Sequence, residues 1–456
     1  MFLFTIYALF LLILSFRNLP LGYSICLLSR FFVPTSVRIG IDDFDMVFYN
    51  FITIAYIPIL IIHKKNFQQI FTSKFSKYTL LMIILTGIVG IAGGDVPFLS
   101  SLKATFFTLL EMIFFFFAWI IFENKEDFKS FYSIFTLIVI VSTIYGLFEY
   151  ITKDNPYIEF ISTEFNDGES VQEKFINEVR GFINGRIEAF TEHPLTHGQY
   201  MEIALAFLVL LKDSFYSQSK KLLPYLFILI ILNIIFSGSR AVLIGSLAFI
   251  TLTIYENISK KFILYSLLLI PLFLYIGGGD KAGTIGSTFK TMIFFWDNKQ
   301  KEDISGSSVD SRADQYLYMV ANLEGKILTG HGLGYIRQEA EAYGGDHPVM
   351  HGYESIVLSK VTEVGLLGLI IYLIWYYKIC SCISSVLSEL GENRTKRYIW
   401  YFFATFLICL ILTGNMKSSQ LFVMMLFSYY KYISVQLDAK QKKSLNNNNI
   451  MHSNAT

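Results

Sequence analysis

Apolar runs separated by short polar connections make up almost the whole chain. Each run has about 15 to 24 residues, which is long enough to cross a bilayer core of roughly 30 Å as a helix. We count about twelve such runs, and their approximate spans are residues 2–16, 45–62, 79–93, 104–122, 130–150, 199–212, 222–237, 240–256, 261–277, 354–377, 397–413 and 417–435. Residues 18–35 remain a candidate interfacial or re-entrant segment. The pattern predicts an all-α, polytopic integral membrane protein with a large loop between helices 9 and 10.

The composition agrees with a membrane protein. Hydrophobic residues make up 54% of the chain and charged residues only 16%, far from the mixture of a soluble domain. The formal net charge of +1 gives no reason to expect nucleic acid as a partner, so the expected surroundings are the lipid bilayer. The chain has no P-loop, no GxSxG and no CxxC pair. The glycines of "GHGLG" at 330–334 lack the preceding strand of a dinucleotide site and predict a flexible turn.

Basic residues in the short connections predict the orientation. The basic connections are "HKKNFQQIFTSKFSK", "ENKEDFK", "KDSFYSQSKK", "ENISKK" and "ENRTKR". They all fall on one side, which is therefore predicted to be cytoplasmic, together with both chain termini. The resulting organisation is membrane helices at 1–150, a first long outer segment at 151–198, central helices at 199–277, a large outer loop at 278–353, further helices at 354–435 and a disordered polar tail at 436–456.

Histidines concentrate in the two long outer segments. Of the seven histidines in the chain, five lie there, namely His193, His197, His331, His347 and His351. In "GGDHPVMHGYES", Pro348 suits the first position of a helix, which places His351 in the first turn. The positive end of a helix dipole keeps an imidazole neutral and able to accept a proton, so His351 is a candidate general base. His347 either shares that role or only binds its own turn, and a metal would need a third ligand that the sequence does not place.

Three arginines in or beside the outer segments are candidate anion-binding residues. They are Arg240 in "FSGSRAVLIG", Arg312 in "SSVDSRADQYLYMVANL" and Arg186 in "NGRIEAFTEHPLTHGQY". The planar guanidinium group binds phosphate through two parallel hydrogen bonds. Each residue also has an alternative role: Arg240 as a side chain that reaches the lipid headgroups, Arg312 as the partner of Asp310 or Asp314, and Arg186 as a solvated loop charge.

Three segments resemble a known family when taken in order. "GSRAVLIG", "SRADQYLYMVANLEGKILTGHGLGY" and "HGYESIVLSKVTEVGLLGLIIYL" are similar to motifs of the bacterial O-antigen ligase and O-antigen polymerase superfamily. The resemblance covers roughly residues 180–380. One position departs from it, because Gly352 stands where family members often carry Asn.

The resemblance implies a glycosyltransferase of the bacterial inner membrane. Such enzymes transfer glycan from an undecaprenyl-diphosphate carrier to a sugar hydroxyl on the periplasmic face, without a metal or other cofactor. By position, Arg240 and Arg312 would hold the diphosphate, with Arg186 as a third contact. His351 would activate the acceptor hydroxyl, with His347 as an alternative.

The identity of the acceptor separates the functions that remain open. A polymerase, which we favour, builds O-antigen, capsule or exopolysaccharide by moving the growing chain onto another lipid-linked unit. A ligase moves the chain onto lipid A-core in lipopolysaccharide. From a different class, a flippase for lipid-linked oligosaccharides would use an ionisable group inside the membrane, for which Glu111 is the candidate.

Overall fold

The computed structural model describes most of the chain. The described residues are 2–34, 36–41, 44–165, 179–180, 183–219, 222–255, 309–344, 347, 349–350, 353, 355–413 and 416–453. Sixteen α-helices dominate them, and we number these in chain order.

The helices have the following bounds: α1 Phe2–Arg17, α2 Leu19–Leu28, α3 Phe48–Ile62, α4 Lys74–Gly93, α5 Phe98–Phe116, α6 Ala118–Ile121, α7 Lys125–Thr152, α8 Pro156–Phe165, α9 Pro194–Ser219, α10 Leu223–Phe236, α11 Arg240–Tyr255, α12 Val309–Asn322, α13 Tyr335–Ala342, α14 Ile356–Leu390, α15 Asn393–Thr413 and α16 Met416–Ser453. Short 3-10 helices span Ser29–Phe31 and Phe67–Phe71. Two small antiparallel hairpins are also described, with strands β1 Arg38–Ile41 and β2 Phe44–Val47, and β3 Val179–Arg180 and β4 Ile183–Asn184.

The prediction of an all-α membrane protein is confirmed. Each predicted apolar run that falls on described residues contains a helix, while the run at 261–277 lies outside them. Six helices within the described part of the chain are long and apolar enough to cross a membrane, and five shorter apolar helices accompany them. The segment at 18–35 contains one of these shorter helices, α2 with its 3-10 extension.

Local sequence explains where several helices begin. The Asn18 side chain accepts a hydrogen bond from the Leu21 amide at the start of α2. Asn124 and Asp127 form a reciprocal capping box at the start of α7. The Ser355 hydroxyl accepts from the Val357 amide at the start of α14. Such side chains satisfy amides that have no partner within the helix.

Helix α9 is the central element of the bundle. It packs against α7, α10, α11, α15 and α16, and 94% of its Pro194–Leu211 segment is buried. Around it, α14 packs along α4 and against α15 and α16, while α11 packs against α15. A helix that is buried on all sides must satisfy its polar groups within the protein, because no water or lipid headgroup reaches them.

The two ends of the bundle have different characters. The end where α3, α9 and α14 begin carries the described parts of the two long segments, and we call it the loop end. The opposite end is where α3 ends and α4 begins, at Ile62 and Lys74. It carries the described basic connections, and we call it the basic end.

The first and last described helices place the two ends of the chain at opposite ends of the bundle, a packing that differs from the predicted placement of both termini on one side. The Phe4 ring of α1 lies 6.5 Å from the ring of Phe48, at the start of α3, and farther along α1 the Ser15 hydroxyl is bonded to Tyr56 of α3 at 2.5 Å. Helices α1 and α3 therefore run parallel, from the loop end to the basic end. The reason is α2, which returns the chain to the loop end and adds a helix that the apolar-run count does not include.

Helix α16 also runs from the loop end to the basic end, so it ends at the basic end of the bundle. Its Phe427 ring lies 4.9 Å from Phe75 at the start of α4, and Lys440 donates to the Leu390 carbonyl at the end of α14 at 3.1 Å. The tail predicted to be disordered is helical as far as Ser453. A helix already formed in the bundle extends through Gln and Lys at little cost, because nucleation is the expensive step.

Candidate functional site

Arg186 and Arg240 come together at the turn between α10 and α11. The Arg186 side chain is 4% exposed, and its Nε donates to the Ser237 carbonyl at 2.8 Å. Gly238 has φ +66°, and a Cβ there would lie 3.0 Å from Arg186 Nε. Glycine therefore permits both the turn and the close approach of Arg186. Arg240 begins α11 two residues later, so two of the three predicted anion-binding arginines share one turn.

Glu149 of α7 holds the segment that carries Arg186. Its carboxylate accepts from the Glu188 amide at 3.0 Å and from the Ala189 amide at 2.7 Å. Ala189 has φ +48°, and its carbonyl accepts from the Asn155 amide group at 2.9 Å. These bonds fix a strained backbone at Ala189, three residues after Arg186, and such strain persists only where surrounding contacts impose it.

Glu188 is a residue of this site that sequence reasoning missed. Its side chain is fully buried, and neither carboxylate oxygen has a hydrogen-bond partner among the described residues. Burial raises the pKa of Glu188 well above its usual value, Glu149 raises it further, and Arg186 opposes the shift. The only signal in the sequence is a carboxylate two positions after Arg186, and that signal is weak.

His347 binds its own turn through Nδ1 and a tyrosine through Nε2. Its Nδ1 accepts from the amides of Val349 and Met350 at 3.1 and 2.9 Å. Its Nε2 lies 3.2 Å from the Tyr318 hydroxyl, so the neutral ring carries its proton on Nε2 and donates it there. The geometry therefore favours a structural role for His347 over a share in the role of the base.

His351 and the Arg312 side chain lie outside the described residues. The backbone of Arg312 is in α12. Met319 of that helix and Leu323, which follows its last residue, pack against Leu358 and Val361 of α14. The roles predicted for His351 and Arg312 stay predictions.

The two histidines nearest α9 have structural partners. His193 Nδ1 accepts from the Leu195 amide at 3.0 Å, at the start of the helix. His197 is buried, and its Nε2 lies 3.0 Å from Asn233 Oδ1 of α10. The Asn233 amide group donates to the Thr143 carbonyl of α7 at 3.0 Å. His197 therefore joins three helices through hydrogen bonds.

His331 forms a different arrangement with Asp95, which follows α4. His331 Nδ1 lies 2.5 Å from Asp95 Oδ2, and Lys326 also contacts that carboxylate. The hydrogen bonds from His331 and Lys326 hold the pKa of Asp95 below its usual value. The His331 ring stacks on Tyr335 at 4.2 Å, and its buried Nε2 has no partner among the described residues. No sequence signal links Asp95 to His331.

The glycine-rich turn around His331 fits into a break in α14. Gly365 has φ +63° and ψ −172° inside that helix, so nearby carbonyls and amides lose their helical partners. The amides of His331 and Gly332 donate to the Thr362 and Glu363 carbonyls at 3.0 and 2.9 Å. On the other side of the break, the Leu366 amide donates to the Ile327 carbonyl at 2.9 Å. The predicted flexible turn is thus held by backbone hydrogen bonds.

Helix α15 contacts both the turn at residues 237–240, which we call the arginine turn, and the start of α14. The two contacts lie at similar positions along the length of α15. Cys409 Sγ of α15 lies 3.2 Å from the Ala241 carbonyl, next to Arg240. Two residues along α15, the Ile411 carbonyl accepts from the Ser355 hydroxyl at 2.5 Å. Residues two apart on a helix point to different sides of it. The arginine turn and the end of the large loop therefore flank α15 at the loop end.

Glu111, the intramembrane carboxylate considered for transport, has a partner on another helix. The Gln420 amide group of α16 donates to its carboxylate. Within the residues described, no group of three His, Cys, Asp or Glu side chains is placed to hold a metal ion. Comparisons of the sequence with protein-family models and with curated proteins find no match.

Proposed function

We propose that this protein is a membrane glycosyltransferase of surface-polysaccharide biosynthesis, of the polymerase type. It moves glycan from an undecaprenyl-diphosphate carrier to a sugar hydroxyl, with no metal in the chemical step. The observation that carries the proposal is the hydrogen bond from Arg186 to the Ser237 carbonyl. This bond holds the Arg186 side chain at the turn that begins with Ser237 and ends with Arg240. Both arginines are among the residues that the family resemblance assigns to the diphosphate.

The chemistry agrees with this arrangement. Negative charge develops on the diphosphate as the anomeric C–O bond breaks, and fixed guanidinium groups stabilise such charge without reorganisation. Arg186 is buried and hydrogen-bonded, so its position is set before the donor binds. The acceptor hydroxyl loses a proton in the same step, and the proposed acceptor of that proton is His351.

The same geometry suits a ligase that transfers the chain to lipid A-core, because nothing described at the site selects the acceptor. A flippase is less well supported. Its candidate intramembrane group, Glu111, is bonded to Gln420, and Gln420 in turn accepts from Arg30 at 3.1 Å. This is how a packed protein stabilises buried charges, whereas a transport site must release its ligand.

We propose that the basic end of the bundle faces the cytoplasm of a bacterial cell and the loop end faces the periplasm. The basic connections support this orientation through the positive-inside tendency. The C-terminal end of α16 is then cytoplasmic and the start of α1 periplasmic. The arginine turn and the end of the large loop both fall on the periplasmic side.

Arg240→Lys tests the proposal, since lysine keeps the charge and loses the planar fork. We expect glycan formation in cells to fall roughly tenfold or more, the size of one charge-assisted hydrogen bond. The measurement is gel separation of glycolipids and carrier-linked intermediates, with protein level checked in membranes. Single carrier-linked units exposed to the periplasm indicate a polymerase, and long carrier-linked chains indicate a ligase.

Arg337→Lys is the matched control. Arg337 lies on α13 in the large loop, its side chain is 80% exposed, and it pairs with Glu341, so its replacement should leave glycan unchanged. Normal glycan in Arg240→Lys would contradict the proposal. Carrier-linked units that stay on the cytoplasmic side would instead support the flippase.

A further inference from the structure

Arg30 is a buried arginine that the proposed reaction does not use. It lies in the 3-10 helix Ser29–Phe31 that follows α2, and it is 5% exposed. Of the residues described, none forms an ion pair with it. Its link to the Glu111 carboxylate runs only through Gln420. A buried guanidinium with no direct carboxylate contact is costly, so its surroundings must explain why it is there.

Aromatic rings and an amide hold the guanidinium in a fixed orientation. Its central carbon lies 4.1 Å from the Tyr49 ring centre and 4.8 Å from that of Phe115. Nη1 donates to Gln420 Oε1 at 3.1 Å, and Gln420 is bonded to Glu111. Three helices, α3, α5 and α16, therefore position one guanidinium group, and the two rings interact with it through cation–π contacts.

The other edge of the guanidinium has no hydrogen-bond partner among the described residues. Nε and Nη2 of Arg30 are both buried and unpaired. These two nitrogens direct their N–H groups along the same edge of the plane, which is the fork that matches two oxygens of a phosphate. The edge is thus oriented and desolvated in advance, as a bidentate anion site requires.

The neighbouring backbone places Arg30 at the loop end of the bundle. The Tyr49 hydroxyl donates to the Val33 carbonyl at 2.6 Å, and the Phe32 carbonyl accepts from Tyr157 of α8. Both carbonyls lie within three residues after Arg30, so Arg30 lies within one helical turn of the connection that leaves α2.

We propose that Arg30 is a binding site for a phosphate oxyanion, separate from the turn that carries Arg186 and Arg240. The phosphate comes either from the headgroup of an anionic lipid or from the solvent as inorganic phosphate. Nε and Nη2 bind two of its oxygens, while Tyr49, Phe115 and Gln420 keep the fork in place. The inference does not depend on the proposed glycan transfer.

Binding to the full-length protein tests this site. The protein is purified in neutral detergent, and thermal unfolding is followed as inorganic phosphate is added, with chloride at matched ionic strength as reference. A parallel series uses nanodiscs of phosphatidylcholine with and without phosphatidic acid. Stabilisation by phosphate identifies the solvent source, and stabilisation only by phosphatidic acid identifies the lipid source. Absence of both overturns the proposal.

Variants assign any binding to Arg30. Arg30→Lys keeps the charge and loses the fork, so the affinity for the effective probe should fall about tenfold or more. Arg337→Lys, at an exposed position, should not change it. Because Arg30→Lys could fail to fold, Phe115→Leu serves as a second variant, which retains Arg30 but removes one ring and should weaken binding. Unchanged affinity in a folded Arg30→Lys or in Phe115→Leu overturns the proposal.

Discussion

At the scale of single residues, the chemistry depends on which polar atoms are already occupied. His347 and His331 belong to the same large loop, yet the first uses both ring nitrogens and the second leaves Nε2 unpaired among the described residues. Glu188 and Glu149 are both buried, yet only Glu149 receives backbone amides within the described part of the chain. Residue type therefore identifies candidates, and hydrogen-bond occupancy separates them.

Glu188 makes the stability of the protein depend on pH. A glutamate in an unfolded chain has a pKa of about 4.3, and the pKa of Glu188 in the folded protein is higher. The folded state then binds the proton more tightly, so stability falls as pH rises from about 4.3 through the folded pKa. Glu188→Gln removes this loss. We expect its unfolding temperature to exceed that of wild type at neutral pH and to match it near pH 4.

Thermal unfolding across pH in detergent measures this difference. Glu324→Gln is the control, because Glu324 is exposed in a turn and its replacement should leave the pH profile unchanged. A Glu188→Gln protein that is less stable than wild type at neutral pH would show that the ionised carboxylate stabilises the fold. That result would contradict the account of Glu188 as a buried carboxyl group whose pKa is raised by burial.

At the scale of elements, the break in α14 fastens the large loop to the membrane helices. The turn at 327–332 completes the hydrogen bonds that the helix loses at Gly365, so loop and helix order each other. Gly365 has backbone angles that only glycine adopts readily. A Cβ there would lie 2.3 Å from the Leu328 carbonyl carbon, so the space is closed as well.

Gly365→Ala should therefore lower the free energy of unfolding by more than the strain of a positive φ alone would. We expect a loss of more than about 3 kcal/mol in unfolding free energy, from strain and the clash together. Gly391→Ala is the matched control, since Gly391 ends the same helix with φ +86° and a Cβ there would meet nothing within 4 Å. It should cost about 1 to 2 kcal/mol. Equal losses, measured by unfolding in detergent, would contradict this account of the break.

At the scale of the whole molecule, the direction of α1 sets which end of the bundle holds the first residues. Helix α2 with its 3-10 extension, Leu19–Phe31, is short for a crossing helix, yet it returns the chain through the bundle. The packing of Phe4 on Phe48 then places the first residues at the loop end. The C-terminal part of α16 lies at the basic end, where Lys440 contacts Leu390.

Cysteine labelling in intact cells tests this topology. The four native cysteines are free and buried, so an introduced cysteine provides the signal. Phe2→Cys and Leu445→Cys replace exposed residues near the two ends. We expect a membrane-impermeant reagent added outside to label Phe2→Cys and not Leu445→Cys. Glu126→Cys, in a basic connection, should behave like Leu445→Cys. Equal labelling of the two ends would contradict the packing of α1.

Part of the candidate site was accessible from sequence. Arg186, Arg240 and the histidines stand out because charged or titratable residues are few in so apolar a chain. Their contacts were not accessible, because Arg186 meets Ser237 across 51 positions and His331 meets Asp95 across 236. No local pattern encodes such pairs. Arg30 is the clearest case, since in the sequence it is one basic residue in an outer connection.

The sequence by itself determined which segments leave water. Apolar runs of sufficient length form helices in a membrane whatever their neighbours, because each helix satisfies its own backbone hydrogen bonds. Only the tertiary structure decided the direction of α1, the break in α14 and the burial of Arg30 between Tyr49 and Phe115. These features depend on side chains from helices distant in sequence, and the packing that joins them is a property of the whole bundle.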